Sequence, residues 1–124
     1  MGTVGKAMKR KAPTSDQPKY TETMMVNDIV REAHSFGWMV HHDRPALTGR
    51  GWRTALQGDA GFPDLLLLRA GVVAAWECKS AIGKVTPPQQ QWLDEWAKVP
   101  GVSVRVVRPA DLEACYKFLA RIKE

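Results

Sequence analysis

Two apolar runs separated by Ala70-Gly71 constrain this chain more than any other feature. Asp64–Arg69 and Val72–Lys79 read as β-strands, and the two residues between them have the length of a tight hairpin turn. Ala is not the favoured residue at the first turn position; Gly at the second is. If Arg69 pairs with Val72, strand register places Asp64 directly opposite Glu77. Opposed residues hold their Cβ atoms about 4.5–5.5 Å apart. Two carboxylates at that spacing repel, and a divalent cation neutralises them; Mg²⁺ binds through one or two carboxylates with waters and phosphate. Alternation along the strand puts Lys79 on the same side as Glu77, with Cα atoms about 6.8 Å apart. A Lys beside a metal orients an attacking water or stabilises charge developing on phosphate. Cys78 faces the other way, and its backbone carbonyl is free to face the metal if the strand lies at a sheet edge. The polar trio terminates apolar strands, which an ordinary exposed ion pair would not require.

The remaining pattern supplies helices on either side. Thr21 is a plausible N-cap for a helix over 22–36, with Val26, Ile29, Ala33 and Phe36 as its apolar stripe and Gly37 at its end. Glu22 falls on that stripe, an unusual place for a carboxylate. Residues 37–62 contain Gly37, Pro45, Gly49, Gly51, Gly58 and Gly61; apart from a short strand at Trp38–His42, they read as a long surface loop carrying Arg44, Arg50 and Arg53. Thr86, Pro87 and Gln89 form a capping-box pattern for a helix running to about Lys98, with Trp92, Leu93 and Trp96 on its apolar face. Val102–Arg108 reads as a strand. Asp111–Ile122 reads as a last helix with Leu112, Cys115, Tyr116, Leu119 and Ile122 inward. The order α-β-β-β-α-β-α predicts a mixed α/β or α+β domain.

Length and charge bound the rest. The 124 residues suit one domain. The net charge of +5 invites a nucleic-acid reading, yet residues 1–20 hold Lys6, Lys9, Arg10, Lys11 and Lys19 against Asp16 alone. The excess is therefore concentrated in a basic arm at 1–19, read as disordered, ahead of a nearly neutral domain at 20–124. No apolar run approaches the ~20 residues of a membrane span. No secretory signal is visible, and two well-separated cysteines fit a reducing cytoplasm.

The motifs together resemble a known family. Gly61-Phe62-Pro63-Asp64, an apolar hairpin, and Glu77-Cys78-Lys79 look like the PD-(D/E)XK nuclease superfamily. An early helical Glu22, Gln89 in Thr86-Pro87-Pro88-Gln89, and the Val-rich 102–108 strand narrow the resemblance to its VRR-NUC branch, over roughly residues 20–120. Cys78 replaces a commoner branched aliphatic residue without changing the carbonyl. The resemblance implies a restriction-endonuclease-like core, a central mixed sheet flanked by helices, and Mg²⁺- or Mn²⁺-dependent hydrolysis of DNA with no small-molecule cofactor. It assigns Asp64, Glu77 and the Cys78 carbonyl to the metal. Lys79 would position the nucleophilic water. Glu22 would complete the site directly or through a water, with Gln89 beside it. Stand-alone members of this size look like phage or bacterial enzymes, including homodimers that cut branched DNA such as four-way (Holliday) junctions. The expected setting is thus a bacterial or infected-host cytoplasm.

Several readings stay open. Gln89 serves either the site or only the capping box. Arg44, Arg50 and Arg53, with Lys84 and His42, are candidate DNA contacts, or else a solvated loop. His41-His42-Asp43 lacks the partners a structural zinc needs. Trp76, Trp92 and Trp96 sit at buried phases, whereas Trp38 or Trp52 would be exposed for stacking or a subunit contact. The rival functions are a nuclease for linear, flap or single-stranded DNA, and a non-catalytic DNA-binding module.

Overall fold

The computed structural model describes residues 19–43, 46–49, 51–53 and 56–121, with backbone alone at 46–48 and 52–53. The arm expected at 1–19 lies outside this range except for its last residue, as do Arg44, Arg50 and Ile122. The elements in chain order are α1 (Glu22–Ser35), β1 (Met39–His41), β2 (Ala46–Thr48), β3 (Gly51–Arg53), β4 (Leu65–Arg69), β5 (Val72–Cys78), α2 (Pro87–Ala97), β6 (Val102–Val107) and α3 (Leu112–Arg121).

The hairpin forms in the expected register. Arg69 lies opposite Val72 and Leu65 opposite Trp76. Ala70 (φ 51°) and Gly71 (φ 79°) both occupy the left-handed region, the signature of the hairpin turn whose twist matches its strands. The two strands stop one residue short of expectation at the open end, at Leu65 and Cys78, and their ladder ends at the Leu65/Trp76 pair. There the Asp64 carboxylate replaces a backbone partner: its Oδ2 accepts the Cys78 N–H at 2.9 Å.

The main sheet has the order β1-β4-β5-β6, antiparallel except for the parallel β5/β6 pair. β5 is thus interior, not an edge strand. It nevertheless outruns β4, so the β4-side edge of Cys78 has no strand beside it. N–H and C=O of one strand residue point to the same side. The Cys78 carbonyl therefore shares the open edge on which its N–H meets Asp64.

Cross-strand partners share a face, which divides the hairpin cleanly. Leu65, Leu67, Ala74, Trp76 and Cys78 join Met25, Val26, Ile29, Ala33, Cys115 and Leu119 in the core beneath α1 and α3. Ala75, Glu77 and Lys79 point to the opposite side, where α2 packs on β5 and β6. Thr21 caps α1 by accepting the Met24 N–H at 3.0 Å, and α1 ends at Ser35 with Phe36 partly exposed rather than on the buried stripe.

Three further expectations change. Trp38 is buried at 2% exposure, with its indole N–H donating to the Leu119 carbonyl at 3.0 Å, so it is a core residue rather than a stacking platform. Within the expected loop, β2 and β3 pair as a two-stranded ladder, Ala46 opposite Arg53. The last helix starts with a 3₁₀ turn at Pro109–Asp111, because Asp111 accepts the Arg108 N–H and tightens the chain before Leu112.

Candidate metal and nucleic-acid site

The candidate residues meet at one end of the sheet, where β5 ends and β4 begins. Glu77 is 2% exposed and Lys79 8%, unusual burial for charged side chains. Both owe it to the interior position of β5 and the cover of α2. The Lys79 Nζ lies 3.6 Å from Glu77 Oε2. Glu77 Oε1 is buried with no hydrogen-bond partner among the described residues. A buried oxygen with no partner costs free energy that the fold recovers only if something else occupies that lone pair.

The electrostatics agree. Burial first, and then the negative charge of Asp64, push the Glu77 carboxyl up to about 7, against the opposing pull of Lys79. The cysteine beside it is different: burial drives the Cys78 thiol well above its ordinary range, so its side chain is an inert core group.

Neighbouring segments hold the first carboxylate. Asp64 is fixed through Oδ2 on the Cys78 N–H, and its own carbonyl accepts from the His42 Nδ1–H at 2.7 Å. His42 thus braces the strand start instead of reaching outward, a role no sequence pattern signals. Upstream, Gly61 has φ +100°, and a Cβ there would lie 2.6 Å from the Pro88 carbonyl carbon and oxygen. Only glycine permits this contact between the Asp64 segment and the start of α2. Phe62 adds an edge-to-face contact with Trp92 at 4.9 Å. A cleft of about 240 Å³ opens beside Asp64, bounded also by Asp43, Asp59 and Gly61.

Glu22, at the head of α1, is exposed, and its Oε2 accepts the Ser80 N–H at 3.0 Å. That bond brings α1 to the residue after Lys79. Arg108 then donates from Nη1 to the carbonyls of Ser80 (2.7 Å) and Gly83 (2.8 Å). Neither Ser80 nor Arg108 stands out in the sequence. The functional group of Ser80 is a backbone N–H, and Arg108 reads as an ordinary strand end before a proline.

Gln89 is taken up by the capping box: its Oε1 accepts the Thr86 N–H at 2.9 Å, and its own N–H donates to Thr86 Oγ1. Among the described residues, the side-chain amide NH₂ has no acceptor. Lys84 is exposed, and the Arg53 side chain lies outside the described residues with Arg44 and Arg50.

Among the described residues, no group of three His, Cys, Asp or Glu side chains is gathered to hold a metal alone. The donor set fits instead a hard divalent cation held by two carboxylates and a carbonyl, with water or phosphate completing the shell. The unpartnered Glu77 oxygen and the raised carboxyl are the observations this fit explains.

No family profile matches the chain, and no curated protein matches it. Among solved structures, one described as a VRR_NUC domain matches 83% of this chain and 99% of its own, at 24% identity and a TM-score of 0.53. The architecture on which Asp64, Glu77 and Lys79 are displayed, a four-stranded mixed sheet with three helices, is therefore the fold of a VRR_NUC domain.

Proposed function

We propose that this protein is a nuclease that hydrolyses DNA phosphodiester bonds with Mg²⁺ or Mn²⁺ at Asp64 and Glu77. The observation that carries this reading is the buried Glu77 carboxylate: its Oε1 has no hydrogen-bond partner among the described residues, its Oε2 lies 3.6 Å from Lys79 Nζ, and the Asp64 charge acts on the same group. The Asp64 and Glu77 carboxylates and the Cys78 carbonyl would hold the cation. When bound, such a cation lowers the pKa of a coordinated water and neutralises charge on the phosphate. Lys79, fixed by burial and by Glu77, donates to the attacking water or a non-bridging phosphate oxygen. The attacking water gives up one proton to solvent as its oxygen bonds to phosphorus, the P–O bond to the leaving sugar oxygen breaks, and that oxygen takes up a proton from a second water. Glu22 holds the Ser80 backbone and contributes to the cation's shell through water, and Gln89 offers its free NH₂ toward the substrate. Lys84, Arg44, Arg50 and Arg53 supply phosphate contacts that position DNA without reading sequence.

The substrate reading is branched DNA. A four-way junction presents two symmetric scissile strands, and a two-fold homodimer would place one site on each. Light scattering checks this directly, since a single-subunit mass in the presence of junction DNA would contradict it. A panel of linear, nicked, flapped, forked and four-way DNAs with Mg²⁺ or Mn²⁺ tests the whole reading. Cleavage abolished by Asp64→Asn and Glu77→Gln, and lowered by on the order of 10²-fold or more in Lys79→Ala, is expected. Tight binding with no cutting under either metal would instead make the chain a DNA-binding module.

A further inference from the structure

Ile82 is 89% exposed, the most exposed of the large apolar residues among those described. A single aliphatic side chain in solvent is ordinary by itself. What is unusual is the support beneath it. Ile82 lies in a turn from Ser80 to Gly83 closed by the Gly83 N–H, which donates to Ser80 Oγ (2.9 Å) and the Ser80 carbonyl (3.3 Å). The Arg108 guanidinium spans the carbonyls of both Ser80 and Gly83, and Glu22 holds the Ser80 N–H. Surface turns commonly leave such groups to water. Here the Ser80 N–H and the Ser80 and Gly83 carbonyls are tied to other elements, which fixes both ends of the turn on the body of the protein. A β-branched side chain on a fixed backbone has little rotamer freedom left to lose on contact.

The turn also sits against the candidate site. A Cβ on Gly83 would lie 3.2 Å from Glu22 Oε2, and Lys79 is three residues before Ile82, which limits their Cα separation to about 10 Å. In the sequence the apolar tip lies between Lys79, buried beside Glu77, and the exposed Lys84. A stiff apolar point beside an exposed cation and the candidate cation site is complementary to a polyanion whose interior is a stack of apolar faces. Aliphatic wedges of this kind enter base steps and part them.

We infer that Ile82 is a specificity-determining residue, inserted between bases next to the scissile phosphate, so that the favoured substrate is DNA whose bases part easily, as at a branch point, nick or mismatch. This rests on the nuclease reading of the same site. The test compares wild type, Ile82→Ala, Ile82→Leu and Asp64→Asn as full chains. Cleavage kinetics are measured on the preferred DNA of the panel, with 2-aminopurine placed beside the mapped cut. Ile82→Ala should lower kcat/KM by on the order of 10-fold and abolish the pre-cleavage rise in 2-aminopurine fluorescence, and Ile82→Leu should restore both. The Mn²⁺-induced rise in Tm should match wild type in both Ile82 variants, showing an intact fold and cation site. Wild-type kcat/KM and fluorescence in Ile82→Ala, with Asp64→Asn inactive, would overturn the wedge and leave the nuclease standing. A wild-type protein that cuts nothing would overturn both.

Discussion

Glu77 is the candidate-site carboxylate whose charge state burial perturbs. Burial and the Asp64 carboxylate hold its carboxyl up to about 7, above the ordinary value of 4.5. A carboxyl whose folded pKa exceeds its unfolded one stabilises the fold fully at pH below the unfolded value. That contribution is lost as pH rises through the folded value. The metal-free protein is therefore expected to lose several degrees of Tm between about pH 5 and pH 8. Glu77→Gln should flatten that fall and raise the metal-free Tm at the alkaline end. Thermal melts in EDTA check this, and parallel profiles for the two proteins would contradict it. The opposition of Asp64 and Glu77 was legible in the sequence because hairpin register is arithmetic once Ala70-Gly71 is recognised as the turn. The hold of Ser80 on Glu22, and of His42 on Asp64, was not legible, because both run through backbone groups that every residue carries.

At the scale of elements, the hairpin and the start of α2 decide where the carboxylates stand. Ala70 carries a Cβ at φ 51°, a conformation that costs a non-glycine residue about 1–2 kcal/mol. Ala70→Gly should stabilise the fold by about 1 kcal/mol in denaturant melts and leave cleavage unchanged, since the turn lies at the opposite end of the hairpin from the site. Gly61→Ala should do the reverse. Its new Cβ meets the Pro88 backbone at 2.6 Å in a left-handed conformation, with an expected loss of about 2 kcal/mol or more. Cleavage should fall too, because Asp64 is three residues on; unchanged stability and activity would contradict this reading of the Gly61 contact. Helix caps at Thr21 and Thr86 and the strand alternation were visible in the letters. The β2/β3 ladder was not, because Gly49 and Gly51 around it read as loop punctuation. Trp38 was misplaced because its burial depends on α3, far away in sequence, whose Leu119 carbonyl takes its indole N–H.

Across the whole molecule, the sheet gathers four distant segments at one end: the head of α1, the end of β1, the start of β4 and the end of β5. The surplus positive charge lies elsewhere in the sequence, with Lys6, Lys9, Arg10, Lys11 and Lys19 in the first twenty residues. Removing residues 1–19 should flatten the salt dependence of DNA binding by about 0.9 in slope for each phosphate the arm neutralises; an identical slope would show that the arm does not touch DNA. The proposed function rests instead on the acidic site, where Asp64 and Glu77 would together hold a divalent cation. Calorimetric titration of Mn²⁺ into the metal-free full chain tests this most directly, with Asp59→Asn as a control for the carboxylates of the neighbouring cleft. One saturable site is expected in wild type and in Asp59→Asn, weakened by on the order of 10- to 100-fold or more in Asp64→Asn and in Glu77→Gln. Equal Mn²⁺ affinity in all four proteins would contradict it.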